Sequence, residues 1–177
     1  MQRRTLFKGV GGAAVIAAGG AGALFMRGTK MAALPAEKLK YFSAREYSIF
    51  MAVADAMLEL PAKTGDGIKV PSIEEAKLGT KADEYMSRNV PDAQSDFHVL
   101  LSLFDNALAG FFFCGTIAPF SQMDVTARRA FLAKWENHSI PVLRSGFIAL
   151  KKLAMSVYYA SPETWESLHY PGPMEAA

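Results

Sequence analysis

Apolar pairs at Ile49/Phe50, Val53/Ala54 and Met57/Leu58 recur every four residues. That spacing lines one face of an α-helix and fits no strand, whose side chains alternate with period two. A capping box of Ser43 with Glu46 opens this helix, each side chain serving the other's free amide, and Pro61 with "KTGDG" closes it. The same kind of pattern continues along the chain. Ser72 and Glu75 form a second capping box before a stretch that loosens near Gly79-Thr80, resumes at Ala82, Tyr85 and Met86, and stops at Pro91. A third helix from about Asp92 carries Phe97, Leu100, Leu101, Phe104, Leu108, Phe111 and Phe112. Its last turns are apolar all round, which places them at the centre of the core.

A fourth helix spans about Met123 to His138 with Phe131, Leu132 and Trp135 inward. Pro141 opens a fifth, with Leu143, Phe147, Leu150, Ala154 and Val157 on one face and Arg144, Lys151 and Lys152 on the other. Ser161-Pro162 supplies an N-cap and first-turn pair for a short sixth. No stretch sustains an alternation of period two. The expected fold is all-α: a single compact bundle of about five to six helices after an N-terminal signal or anchor helix. Residues 1–30 form that signal or anchor, 31–42 a linker, 43–170 the helical domain and 171–177 an extended tail.

Charge separates the two ends of the chain. Positions 1–30 hold Arg3, Arg4, Lys8, Arg27 and Lys30 and no acid, while 31–177 carry 14 basic against 17 acidic side chains, a net of −3. A slightly acidic body argues against a nucleic-acid partner, whose phosphates need a basic face. Cys114 is the single cysteine, so neither an intrachain disulfide nor a thiolate zinc cage can form. Its neighbours in "GFFFCGT" point to a buried, inert thiol.

From Gly9 to Met26 the chain has no charged or polar side chain, and two thirds of these residues are Gly or Ala. The run is long enough to reach across a bilayer as a helix but only weakly hydrophobic, a layout typical of export signals. "QRRTLFKG" resembles the twin-arginine translocation signature, with Arg3, Arg4 and Lys8 in the expected places. Gln2 and the order Leu6-Phe7 depart from the common pattern. The resemblance implies export of a folded protein by the twin-arginine translocase. Cleavage after "AGA" or "MAALPA" and retention as an anchor both remain open. The G-x-G-x-x-A match at Gly9–Ala14 lacks the preceding strand that a dinucleotide site requires.

Chemistry-bearing residues are sparse. His98, His138 and His169 fall on different elements, and only Glu166 and His169 make an E-x-x-H pair on one helical face. A di-iron bundle needs that pair twice. No G-x-S-x-G elbow is present. Asp55 and Asp105 interrupt apolar faces and are read as caps or helix-to-helix ion-pair members, with a side chain pointing at a partner as the alternative. The expectation is that this chain holds no catalytic, cofactor-binding or metal-ligating residue.

The run "SVYYASPETWESLHYPGP" can pack Tyr158, Tyr159 and Trp165 onto the bundle, with the prolines flanking Gly172 holding an extended, polyproline-like end. Together with "FMAVADAMLEL" and its following proline, this run resembles the small subunit, subunit 3, of gluconate 2-dehydrogenase. The resemblance implies a non-catalytic accessory subunit in the periplasm or at the periplasmic face of the inner membrane. FAD would lie in a large partner of the glucose-methanol-choline type and haem c in a cytochrome c subunit. It also implies Tyr158, Tyr159, Trp165, Tyr170, Pro171, Gly172 and Pro173 as partner-binding residues. The alternatives are an independent exported helical protein binding a ligand or metal, and a membrane-anchored structural protein.

Overall fold

The computed structural model describes residues 29–116 and 118–173, without the side chains of Ala107, Leu108 and Phe113. The export signal residues Arg3, Arg4 and Lys8, the apolar run 9–26 and the last four residues lie outside the described residues. The described chain is an all-α bundle of six helices. They are α1 (Ala44–Leu58), α2 (Leu78–Ser87), α3 (Pro91–Phe104), α4 (Ala107–Cys114), α5 (Val125–Glu136) and α6 (Pro141–Tyr159). Among the described residues there is no β-strand, only an isolated bridge between Lys63 and Lys69. No helix among them is long and apolar enough to cross a membrane.

Both halves of the first capping box form: the Ser43 hydroxyl accepts from the Glu46 N–H, and the Glu46 carboxylate accepts from the Ser43 N–H at 2.9 Å. Glu59, in the left-handed region at φ 47°, ends the helix. Ile49, Phe50, Val53 and Ala54 are fully buried, because α2, α3, α5 and α6 all pack around α1. The centre of the core is thus α1, not the end of the third predicted helix.

Further expectations change. The Ser72–Glu75 box also forms, but it opens a single turn that ends at Lys77 (φ 53°), so the break precedes Gly79. Gly79 lies inside α2, where its missing side chain admits the Tyr47 ring. Pro91 starts α3 at its first turn instead of stopping the helix before it. The long third helix is two helices, divided at Asp105–Asn106. Asp105 turns inward to accept from the Ser121 N–H at 2.8 Å, and the Asn106 side chain accepts from the Ala109 N–H at 3.2 Å to cap α4. The turn carries Phe111 and Phe112 out of the core, with Phe112 78% exposed.

The remaining core is aromatic. Phe104 meets Phe120, Phe131 and Trp135 with ring centroids 4.9, 5.3 and 4.5 Å away, edge-on or tilted as ring quadrupoles prefer. Asp124 caps α5 by accepting from the Ala127 N–H at 2.8 Å, which aims Phe131, Leu132 and Trp135 inward as expected. After α6 the sixth helix is replaced by two 3₁₀ turns, Pro162–Thr164 and Glu166–Leu168. Ser161 does not cap them. Its hydroxyl donates back to the Val157 carbonyl at 2.7 Å.

Candidate functional site

Helices α2, α3 and α6 enclose an open groove of about 860 Å³. Met86, Phe97, Leu100, Ala149, Leu153 and Val157 form its apolar walls. Gly146 sets its width: a methyl group there would lie 2.6 Å from Leu100 Cδ1, so the bare backbone lets α6 approach α3. Lys81, Asn89, Asp96 and Lys152 supply polar groups at the rim. Lys81 is held by Glu163 at 2.6 Å, and that hydrogen bond keeps the Glu163 carboxyl below its ordinary range. An apolar trough with a few rim charges can seat a long apolar side chain, or a helix face with anchors spaced three and four apart.

The carboxyl-terminal run closes one end of α6, and its residues divide sharply. Tyr158 is buried, its hydroxyl donating to the Pro71 carbonyl at 2.6 Å. Tyr159 meets it edge-on and is exposed. Thr164 is fully buried, with its hydroxyl within reach of the Tyr158 and Ser161 carbonyls. Trp165 packs against Tyr170 at 5.4 Å. Gly172 is buried against the Trp165 ring at φ +100°, where a methyl group would lie 2.9 Å from Cζ3. The expected polyproline-like end is therefore interrupted at Gly172, whose φ lies outside that form and whose backbone packs against the Trp165 ring. Of the partner-binding candidates, Tyr159, Tyr170, Pro171 and Pro173 are exposed, Trp165 is half-buried, and Tyr158 and Gly172 serve the chain's own packing.

The E-x-x-H pair does not share a helical face. His169 takes the left-handed conformation (φ 53°) after a 3₁₀ turn, and its Nε2 lies 3.0 Å from an Asp66 carboxylate oxygen. His98 pairs with Glu46 at 2.6 Å and stacks on Tyr41 at 4.3 Å. Burial, and then the Glu46 charge, pushes the Tyr41 phenol far up, and its hydroxyl donates to the Gln94 carbonyl at 2.5 Å. Burial likewise pushes the Cys114 thiol up, against the opposing effects of Lys134 and Trp135. Among the described residues no group of three or more His, Cys, Asp or Glu is placed to hold a metal ion.

Two buried carboxylates organise the linker. Asp105 accepts from the Thr29 hydroxyl at 2.8 Å as well as from Ser121, with Arg45 at 3.9 Å. Asp83 accepts from three successive backbone N–H groups, Lys40, Tyr41 and Phe42, at 2.7, 3.0 and 2.7 Å. Sequence reasoning misses Asp83 because its partners lie more than forty residues away. Asp55, by contrast, is exposed and faces Arg128 of α5 at 3.5 Å, the helix-to-helix pairing that its position implies. Compared with known protein families, curated proteins and solved structures, the chain matches none.

Proposed function

We propose that this chain is a non-catalytic small subunit of an exported flavin-dependent dehydrogenase of the glucose-methanol-choline type. It assists folding of the large flavoprotein and its export by the twin-arginine route, and electrons leave through a cytochrome c subunit. The open apolar groove between α2, α3 and α6 carries this reading, because a trough of about 860 Å³ with apolar walls and a few rim charges suits an apolar helix face or long side chain of a partner. The sequence supports it at both ends. Arg3, Arg4 and Lys8 form the export signature, and the "YYASPETW" and "YPGP" runs carry the subunit resemblance.

The test is co-expression with the large flavoprotein, followed by fractionation and affinity purification. Arg3→Lys with Arg4→Lys should strand the flavoprotein in the cytoplasm. Ala149→Glu adds a carboxylate to an exposed position on the groove wall and should abolish co-purification without unfolding the bundle. A flavoprotein that reaches the periplasm normally without this chain overturns the reading.

A further inference from the structure

Helix α4, "ALAGFFFC", carries no charged residue, and it turns two aromatic rings to solvent. Phe111 is 52% exposed and Phe112 78% exposed, their ring centroids 5.6 Å apart. Adjacent and both exposed, the two rings form a small apolar patch on an uncharged helix.

Where the chain enters the body indicates what this patch would meet. Thr29 and Lys30, the first described residues, are fastened at the root of α4. The Thr29 hydroxyl donates to Asp105, and the Lys30 N–H donates to the Ser121 hydroxyl at 3.2 Å. Asp105 immediately precedes the Asn106 cap of α4. At 1.5 Å per residue, Phe111 and Phe112 therefore lie within about 10 Å of it along the helix. Only Arg27 and Gly28 separate Thr29 from the uncharged apolar run ending at Met26. Thr29, three residues after the end of the apolar run in sequence, thus lies close to the aromatic pair.

Cations frame the same region. Lys30 is exposed, and the Arg45 Nε donates to the Thr29 hydroxyl at 2.8 Å. At the far end of α4 the Lys134 ammonium donates to the Cys114 carbonyl at 2.6 Å. Exposed aromatic rings on a helix with Lys and Arg at its two ends suit the interfacial zone of an anionic bilayer, where rings sit at headgroup depth and cations meet lipid phosphates.

We propose that α4 is a membrane-contact element, whose Phe111–Phe112 pair enters the headgroup region of an anionic lipid bilayer on the side of the bundle where Thr29 is fastened. This rests on reading residues 9–26 as a membrane-directed segment, as the function proposed above does. The contact would hold the bundle in one orientation on the lipid surface instead of leaving it to swing on a tether.

The test uses the full chain with vesicles of phosphatidylethanolamine and phosphatidylglycerol carrying brominated acyl chains. A Phe112→Trp variant reports depth, and a Tyr170→Trp variant on the exposed carboxyl-terminal turns serves as the comparison. The unsubstituted chain supplies the background from Trp135 and Trp165. The expected result is a blue shift and loss of emission for Phe112→Trp and neither for Tyr170→Trp. If the chain sediments with the vesicles while the tryptophan at 112 stays in water, α4 is not the contact and the membrane reading of 9–26 survives. If the chain does not bind at all, both fall. If the tryptophan at 112 is shielded only when the flavoprotein is added, the patch is a protein interface and the proposal is overturned.

Discussion

The Asp83 carboxylate on α2 accepts the backbone N–H of Phe42 at 2.7 Å, across a sequence separation of 41 residues. Phe42 is the last residue before the Ser43 cap, so this contact fixes the direction in which the linker enters α1. Because Tyr41 and Lys40 share the same carboxylate, the linker is held as a rigid turn.

Asp83→Ala leaves three N–H groups without their acceptor beside a buried position. Hydrogen bonds to a charged group contribute about 1.5–3 kcal/mol each, and part of that returns as the linker opens to water. A loss of about 3 kcal/mol in urea unfolding is expected. Asp83→Asn keeps one acceptor oxygen and should lose roughly half as much. Amide exchange at Lys40, Tyr41 and Phe42 should rise in both variants. Unchanged protection there would show that the linker is held by packing alone.

Gly79→Ala sets two effects of opposite sign against each other. Alanine is favoured over glycine inside a helix by up to about 1 kcal/mol. The added methyl would lie 2.7 Å from Tyr47 Cζ, and the Tyr47 ring is buried with little room to yield. Overpacking of this kind costs about 1–3 kcal/mol, so the variant should be less stable than the parent despite its better helix propensity. A gain in the urea midpoint would mean that the ring moves freely.

How much of this was legible in the sequence depends on the reach of each determinant. α1 was readable because its cap, its apolar face and its stop all lie within about twenty residues. The division between α3 and α4 is masked, because the apolar pattern resumes beyond it and runs on to Phe112. The signal was the pair Asp105–Asn106, two residues that favour caps over helix interiors. Its meaning depends on Ser121 and Thr29, which the chain brings in from far away. The groove was hidden for the same reason: α2, α3 and α6 each present an ordinary apolar face, and only their assembly leaves a gap. The tail misleads because prolines flanking a glycine fit a polyproline-like chain, and the contact of Gly172 with the Trp165 ring that interrupts it is not written in the local sequence.

Phe104 and Phe112 are eight residues apart in one apolar stretch and should behave in opposite ways. Phe104 is fully buried among Phe120, Phe131 and Trp135, so Phe104→Ala should cost about 3–5 kcal/mol. Phe112→Ser at the exposed position should stay within about 0.5 kcal/mol of the parent. Thermal or urea unfolding of the isolated chain in detergent-free buffer measures both. A large loss for Phe112→Ser would place that ring in the core after all.

Tyr158 links stability to alkaline pH. Burial, and then the charges of Tyr159 and Glu75, pushes its phenol from 10.0 up to about 12. A folded-state value above the unfolded one means that folding favours the protonated phenol. That contribution is present in full below pH 10 and is lost as the pH climbs from about 10 toward about 12. Tyr158→Phe keeps the ring and removes the donor to the Pro71 carbonyl, which should cost about 1 kcal/mol at pH 7. The variant lacks this titration. The stability gap between parent and variant should therefore narrow steadily as the pH rises above 10. Urea midpoints at pH 7, 9 and 11 measure it, and a gap that holds constant across that range would rule out the phenol as the titrating group.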